Sequence, residues 1–250
     1  FCMNICLFDE TEFVENKTVR LPSNDERAKH ILKVLKKKEG DFFESGITGG
    51  MAGESKILKI EQDGAIVFSF LPKSAGKPLR PLDLLVGFPR PIQLRRLLRD
   101  AAGLGVRRVV LCGTELGEKS YLDSKIVSDG SAKKMLFDGT VQAGSTHVPS
   151  IFFFGTLFEA IDFLKEDDVK IALDNKRAKR SLGSFIFENA QKCQNVVAAI
   201  GSERGWTENE RDFLEKSSFT LCSMGERILR TESAVTVSGA IILNALGFLD

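Results

Sequence analysis

No apolar run in this sequence approaches the ~20 residues needed to cross a bilayer. The longest, such as Val196 to Ile200, fall far short. The first residues, Phe1-Cys2-Met3-Asn4-Ile5-Cys6, lack the basic segment and small-residue cleavage site of a secretory signal, and acidic Asp9 and Glu10 follow at once. No membrane association and a cytoplasmic location are therefore expected. C-x-x-C pairs are also missing. The five cysteines (Cys2, Cys6, Cys112, Cys193 and Cys222) are scattered and odd in number, which argues against a disulfide framework and a zinc site and reads as reduced core thiols. Cys2 and Cys6 have the spacing of the start of an iron–sulfur ligand set, but no third cysteine lies near them. Two histidines, His30 and His147, are too few for a histidine-based metal centre, so no metal is expected. A charge excess is absent too: 35 Lys+Arg stand against 34 Asp+Glu, which gives no global nucleic-acid signature and leaves only local patches for such a contact.

A hydrophobic fraction of 43% over 250 residues is enough for one large core or two modest ones. Residues 1–75 read as short strands around one helix. FFESGI, SKILKIEQ and AIVFSFL are β-rich runs punctuated by Gly40, Gly49-Gly50 and Gly64, and they predict a small β-barrel. The helix is predicted to begin at Ser23, whose hydroxyl caps the first turn while Glu26 reaches back, with Ala28, Ile31, Leu32 and Leu35 at helical spacing. Pro72, Pro78 and Pro81 then fix an extended path unsuited to a strand interior. The domain boundary is placed there, dividing the chain into 1–75 and 76–250.

From Leu82 strands and helices alternate: LDLLVGF, a helix across Ile92 to Leu104, VRRVVLC, a helix across Lys125 to Ala143, then VKIALD, NVVAAIG and FTLCSMG. VVAAI and VVLC are apolar without alternation, as parallel strands covered on both faces are. An α/β domain with a parallel sheet is predicted. The last segment, Thr231 to Leu249, is apolar at Ala234, Val237, Ile241, Ile242, Ala245 and Leu246. It reads as a helix belonging either to the core or to a dimer interface.

Two stretches carry the chemistry. In NVVAAIGSERGWTENE a buried strand breaks at Gly201, turns through Ser202-Glu203-Arg204-Gly205, and enters a helix with a Thr207/Glu210 capping box. In FTLCSMGERILRTESAV a strand ends at Met224-Gly225, a loop carries Glu226, Arg227 and Arg230, and a helix starts at Thr231 or Ser233. Glycine loops after buried parallel strands are where α/β sheets bind small molecules, although a plain strand-to-helix turn has the same local pattern. Neither a G-x-G-x-x-G fingerprint nor a Walker loop is present. An ordinary doubly wound nucleotide enzyme is still open on strand pattern alone, and would reveal itself by binding NAD or ATP.

Ile200, Gly201, Glu203, Gly205, Trp206, Thr207 and Glu210, followed by Gly225, Arg227, Ile228, Leu229, Arg230, Glu232, Ser233 and Ala234, resemble the paired motifs of the ribosomal RNA small subunit methyltransferase E family of the SPOUT superfamily, bacterial enzymes that methylate ring nitrogen 3 of a uridine. HILKVLKKKEGD resembles a motif of that family's N-terminal PUA-like barrel, and Leu104 to Val106 and Val148 to Ile151 also fall where the family places them. The chain departs from the pattern at Ser202, Arg204, Gln93, Asp100, Gly103, Val141 and Ser145.

The resemblance implies an N-terminal PUA-like β-barrel and a C-terminal SPOUT α/β domain with a deep trefoil knot. It implies a site for S-adenosylmethionine made by Leu173, Ile200, Gly201, Ser202, Glu203, Gly205, Met224, Gly225, Ile228, Leu229 and Arg230. Arg230 is the candidate for stabilising the uridine anion, with an ion pair to Glu232 or Glu226 as its alternative, and Glu203 is a candidate base or loop-orienting group. His30, Lys36, Lys37, Arg90 and Arg227 are the implied contacts to 16S ribosomal RNA in the small subunit, and a homodimer is implied. Basic groups at Arg95-Arg96-Arg99, Arg107-Arg108 and Lys176-Arg177-Lys179-Arg180 are further candidates for phosphate contact or solvated faces. An RNA-binding relative without, or with redirected, methyl transfer is the alternative function, motivated by Arg204, Val141 and Ser145.

Overall fold

Short β-rich runs separated by glycine, then strand–helix alternation, give two compact units in a computed structural model. One comprises residues 1–78 with 140–148, the other residues 79–139 with 149–250. The structure describes residues 3–14, 18–164, 169–190 and 194–249. Cys2 and Cys193, and with Cys2 the iron–sulfur spacing, lie outside the described residues.

Among the described residues of the first unit, β1 (Cys6–Phe8), β2 (Phe13–Val14), β3 (Thr18–Leu21), β4 (Phe42–Ile47), β5 (Ala52–Ile60) and β6 (Ile66–Ser74) form a curled sheet ordered β1-β4-β5-β6-β3-β2. All pairings are antiparallel except β1 beside β4. Alternation turns Phe43, Ile57, Ile66 and Phe68 inward, and the rings of Phe8 and Phe43 meet Phe68 edge-on at 5.8 and 5.1 Å. Such pairs add ~0.5–1.5 kcal/mol beyond their burial.

The helix starts later than predicted. Its cap is Asp25, not Ser23: α1 spans Glu26–Lys29 and continues as a π-helical turn, His30–Val34. The Asp25 carboxylate accepts the Arg27 amide at 2.8 Å and also pairs with the Arg27 guanidinium at 2.8 Å, which reaches on to Glu12 and the Leu7 carbonyl. A charged acceptor tied into that network outcompetes a hydroxyl, and Ser23 turns to Asp63 at 3.4 Å.

Pro72 and Pro81, expected outside strands, lie inside β6 and β7 (Arg80–Gly87). Each sits at a slip in register, Pro72 opposite Gly53 beside the Ala52/Gly53 irregularity and Pro81 between Arg80 and Asp83. Such irregularities are where a strand tolerates a residue with no N–H to donate. Residues 140–148 are stitched into this unit by Thr146, whose hydroxyl donates to the Gly50 carbonyl at 2.7 Å while its own carbonyl accepts the Gly49 amide at 2.7 Å.

The second unit has seven parallel strands among its described residues. They are β7, β8 (Val106–Cys112), β9 (Ser150–Phe154), β10 (Val169–Leu173), β11 (Arg180–Ser181), β12 (Val196–Ile200) and β13 (Thr220–Ser223), ordered β11-β13-β10-β12-β7-β8-β9. The unalternating run of β12 is buried at every position, as predicted. The helices are α2 (Pro91–Leu104), α3 (Lys125–Ser128), α4 (Ser131–Gln142), α5 (Leu157–Phe163), α6 (Leu182–Asn189), α7 (Glu208–Lys216) and α8 (Thr231–Ala245). The single helix expected over Lys125 to Ala143 is broken at Asp129-Gly130. Gly130 takes φ +78°, and the Asp129 carboxylate accepts the Ser131 amide at 2.8 Å to start α4.

Helix α8 packs against α2, α6, β7 and β12, burying Ala234, Val235, Ile242 and Leu243 within its own chain. In β7, Asp83 is fully buried and holds the guanidinium groups of Arg107 and Arg108 of the neighbouring β8 at 2.7 and 2.5 Å. Burial alone would raise its pKa, but these two cations lower it. Arg107 and Arg108, read as possible phosphate contacts, are committed to this clamp.

Candidate functional site

Strands β13, β10 and β12 are neighbours and parallel, so the segments that follow them emerge at one edge of the sheet. The register sets Leu173 beside Cys222 and Ala172 beside Ala199. Loops 174–179, 201–207 and 224–230, separated by 21 and 16 residues in sequence, thereby surround one cavity of about 410 Å³. Its lining includes Leu173, Ile200, Gly201, Ser202, Glu203, Gly205, Met224, Gly225, Ile228, Leu229 and Arg230, together with Arg227, Gln93 and Thr231.

The second loop is a tight reversal. Ser202 and Gly205 form an isolated bridge, the Gly205 amide donates to the Ser202 carbonyl at 2.8 Å, and Gly205 takes φ +72°, a conformation that disfavours any Cβ. The Thr207/Glu210 capping box starts α7 as predicted. Ser202 is 5% exposed, and its hydroxyl has no hydrogen-bond partner among the described residues. The Glu203 carboxylate accepts the Arg90 amide at 2.9 Å, fastening the loop to the start of α2.

Asp174 and Gly87 help hold the site without a motif to announce them, beside Trp206 of the second loop's motif. Asp174, at the end of β10, accepts the Lys176 amide at 2.9 Å and the Arg211 guanidinium at 2.7 Å, with side chains 1% and 2% exposed for the ion pair. Burial pushes the Asp174 carboxyl upward, but the Arg177 amide and the Arg211 guanidinium outweigh it and hold the pKa low. The indole of Trp206, buried in the core, donates to the Leu173 carbonyl at 3.0 Å and ties the first loop to the second. A Cβ on Gly87 would stand 2.5 Å from the Ser202 amide nitrogen, so the end of β7 must be glycine for β12 to break where it does.

Arg230 is the N-cap residue of α8, its side chain exposed and without an ion pair to Glu232 or Glu226 among the described residues. Arg90 precedes α2, and Arg227 lines the cavity. His30, Lys36 and Lys37 belong to the first unit, where His30 is 6% exposed and Lys36 takes φ +53°. Arg177 and Arg180 are engaged with carboxylates of α7 and α6, at 2.9 Å in the case of Arg177 with Glu215 and by direct pairing of Arg180 with Glu188. Cys6, Cys112 and Cys222 are buried free thiols, as read from the sequence, and burial raises Cys6 to about 12 and Cys222 to about 11. No cluster of metal-ligating side chains and no helix long and apolar enough to cross a membrane occur among the described residues.

A parallel sheet in which the loops after three neighbouring strands, two of them bearing glycine, surround one cavity is the architecture of a small-molecule-dependent α/β enzyme, and residues 76–243 match the RNA methyltransferase domain family. The chain is 40% identical, over 96% of its length and 91% of the relative's, to ribosomal RNA small subunit methyltransferase E of Treponema pallidum. It is 32% identical to ribosomal RNA small subunit methyltransferase E 1 of Borreliella burgdorferi, over 96% of this chain and 97% of that one. Its fold superimposes with a TM-score of 0.77 at 20% identity, over 97% of this chain and 98% of the other, on a Neisseria gonorrhoeae ribosomal RNA small subunit methyltransferase E crystallised with S-adenosyl methionine. The chain belongs to the ribosomal RNA small subunit methyltransferase E family.

Proposed function

We propose that this protein is an S-adenosylmethionine-dependent methyltransferase that methylates ring nitrogen 3 of a uridine in 16S ribosomal RNA of the small subunit. The observation that carries the reading is the convergence of the two motif loops and the loop after β10 on one cavity, together with the names of the relatives. The cavity fits the cofactor. Leu173, Ile200 and Leu229 offer apolar walls for an adenine, and the buried hydroxyl of Ser202 has an unused hydrogen bond. On this reading the loops belong to a deep trefoil knot.

The cofactor, when bound, supplies an electrophilic methyl group on a sulfonium. The protein's task is chiefly to hold the uridine nitrogen in line with it, an orientation effect worth up to ~7–11 kcal/mol. The uridine N–H must lose its proton before or during attack, so negative charge develops on the ring. Arg230 is exposed and free of carboxylates, and it is the group assigned to stabilise that charge. Glu203 is assigned to positioning the loop through the Arg90 amide rather than to taking the proton.

Residues 1–75 are assigned as the RNA-docking domain, with Lys36 and Lys37 as its phosphate contacts and His30, buried at 6% exposed, supporting them from within; Arg90 and Arg227 are the contacts assigned to the 76–250 catalytic domain. A homodimer is supported by apolar side chains left open in the second unit, with Ile92 66%, Phe187 78% and Ile228 82% exposed. The test is incubation with labelled S-adenosylmethionine and small subunits lacking the modification, followed by mapping of the methylated base. Label on uridine nitrogen 3 supports the reading. Cofactor binding without transfer favours the RNA-binding relative, and neither binding nor transfer overturns both.

A further inference from the structure

A second, larger cavity of the same unit, about 690 Å³, shares no lining residue with the first. It opens at the carboxyl ends of β8 and β9, against the first turns of α5 and α7, and its size falls within the ~300–1,000 Å³ usual for ligand sites. Its apolar walls are Phe88, Leu122, Leu157, Phe158 and Phe213. The rings of Phe158 and Phe213 lie 5.7 Å apart at 32°, and Phe158 is 64% exposed, an aromatic leaf with no partner on its outer face among the described residues.

The charged lining is mostly acidic. Glu115, Glu118, Asp123 and Glu210 border the cavity against Lys119. Glu210 is already committed, accepting the Glu115 and Thr207 amides at 2.9 Å each, and Glu115 accepts the Thr207 hydroxyl at 2.7 Å. Glu118 and Asp123 are exposed and keep carboxylate oxygens for a guest. The Thr114 hydroxyl oxygen is buried in the same wall without a hydrogen-bond partner.

This lining sorts guests by charge. An RNA phosphate entering it meets carboxylates at short range and is repelled. A cation on an apolar stem is favoured twice, by those carboxylates and by the faces of the phenylalanine rings, while its methylenes cover the apolar wall. Apart from Glu210, which caps α7 with Thr207, none of these residues belongs to the motif loops or to the proposed methyl transfer. We propose that the cavity is a docking site for an arginine- or lysine-bearing segment of a partner protein.

The test is calorimetric titration of the full chain with a capped Gly-Arg-Arg-Gly peptide, with its citrulline counterpart, and with a short RNA oligonucleotide. The arginine peptide is expected to bind at least tenfold more tightly than the citrulline peptide, in a salt-sensitive manner. Phe158→Ala, and Glu118→Gln with Asp123→Asn, should each weaken it at least fivefold without moving the melting temperature, since all three positions are exposed. Labelled S-adenosylmethionine binding, measured in parallel, should be unchanged by these variants, so the docking site and the methyltransferase reading fail separately. No binding of the arginine peptide, equal binding of the citrulline peptide, indifference to the variants, or RNA binding that the variants abolish would each overturn the proposal.

Discussion

Replacing Asp174 with alanine removes the carboxylate that holds both the first loop and the Arg211 guanidinium. The pair is buried on both sides, with 1% and 2% of the side chains exposed and a 2.7 Å contact. Removing one partner of such a pair costs roughly 3–5 kcal/mol, because the other charge is stranded out of water. Arg211 retains Glu208 at 2.8 Å, but that carboxylate is 71% exposed, and an exposed partner offsets only about 0.5 kcal/mol. A loss near 3 kcal/mol is expected, which for a chain of this size lowers the melting temperature by about 6–12 °C.

Adding Arg211→Met to Asp174→Ala should recover most of that loss, since no charge is then stranded. The pH dependence has a definite sign. The folded-state pKa of Asp174 is depressed, so its contribution is complete above the ordinary carboxylate value, about 3.9, and disappears as pH falls through the lower folded value. The gap between wild type and Asp174→Ala should therefore be widest near neutrality and close below about pH 4. Melting curves for the three proteins at a series of pH values measure it. A wild-type-like melting temperature for Asp174→Ala at pH 7, or no recovery in the double variant, would refute the reasoning.

Arg230→Ala should lower kcat by about 10²–10³-fold with little change in melting temperature, as the side chain is exposed and makes no cap hydrogen bond; steady-state methylation assays and thermal melts separate the two. Gly205→Ala and Gly87→Ala should differ in kind. At Gly205 a Cβ meets nothing within 4 Å and the expected cost is the φ +72° backbone alone, about 1–2 kcal/mol. At Gly87 the Cβ collides with the Ser202 amide at 2.5 Å, so labelled-cofactor binding should fall more steeply than stability. Cys6, Cys112 and Cys222, buried with raised pKa values, should resist alkylation in the folded protein and react once it is unfolded, read by peptide mass mapping.

What the sequence revealed depended on how local the cause was. The runs of β8 and β12 and the Thr207/Glu210 cap are dictated by neighbours in the chain, and VVAAI is buried throughout as its pattern required. The loop residues after β12 and β13 were legible as motifs, whereas the loop after β10 was not, and only the sheet order makes the three neighbours. Asp25 displaced Ser23 as a cap through Arg27 and, beyond it, Glu12 and Leu7, distant partners that the local helix pattern does not reveal. Pro72 and Pro81 were misread because a register slip is a property of two strands, not of one. Arg107 and Arg108 looked like a surface patch until Asp83, more than twenty residues earlier, was found beside them. The acid-lined cavity is assembled from four separate segments and had no signature at all.

The return of residues 140–148 to the first unit sets an order on how the chain can mature. A ribosome delivers residues 1–78 well before Thr146, so the loop amide of Gly49 and the carbonyl of Gly50 must wait for that threonine while much of the second unit's first half emerges. The early unit is thus held incomplete during synthesis. A fragment cut at residue 78 would lack its own closing segment, and the complementary fragment would carry that segment with its Gly49 and Gly50 partners missing.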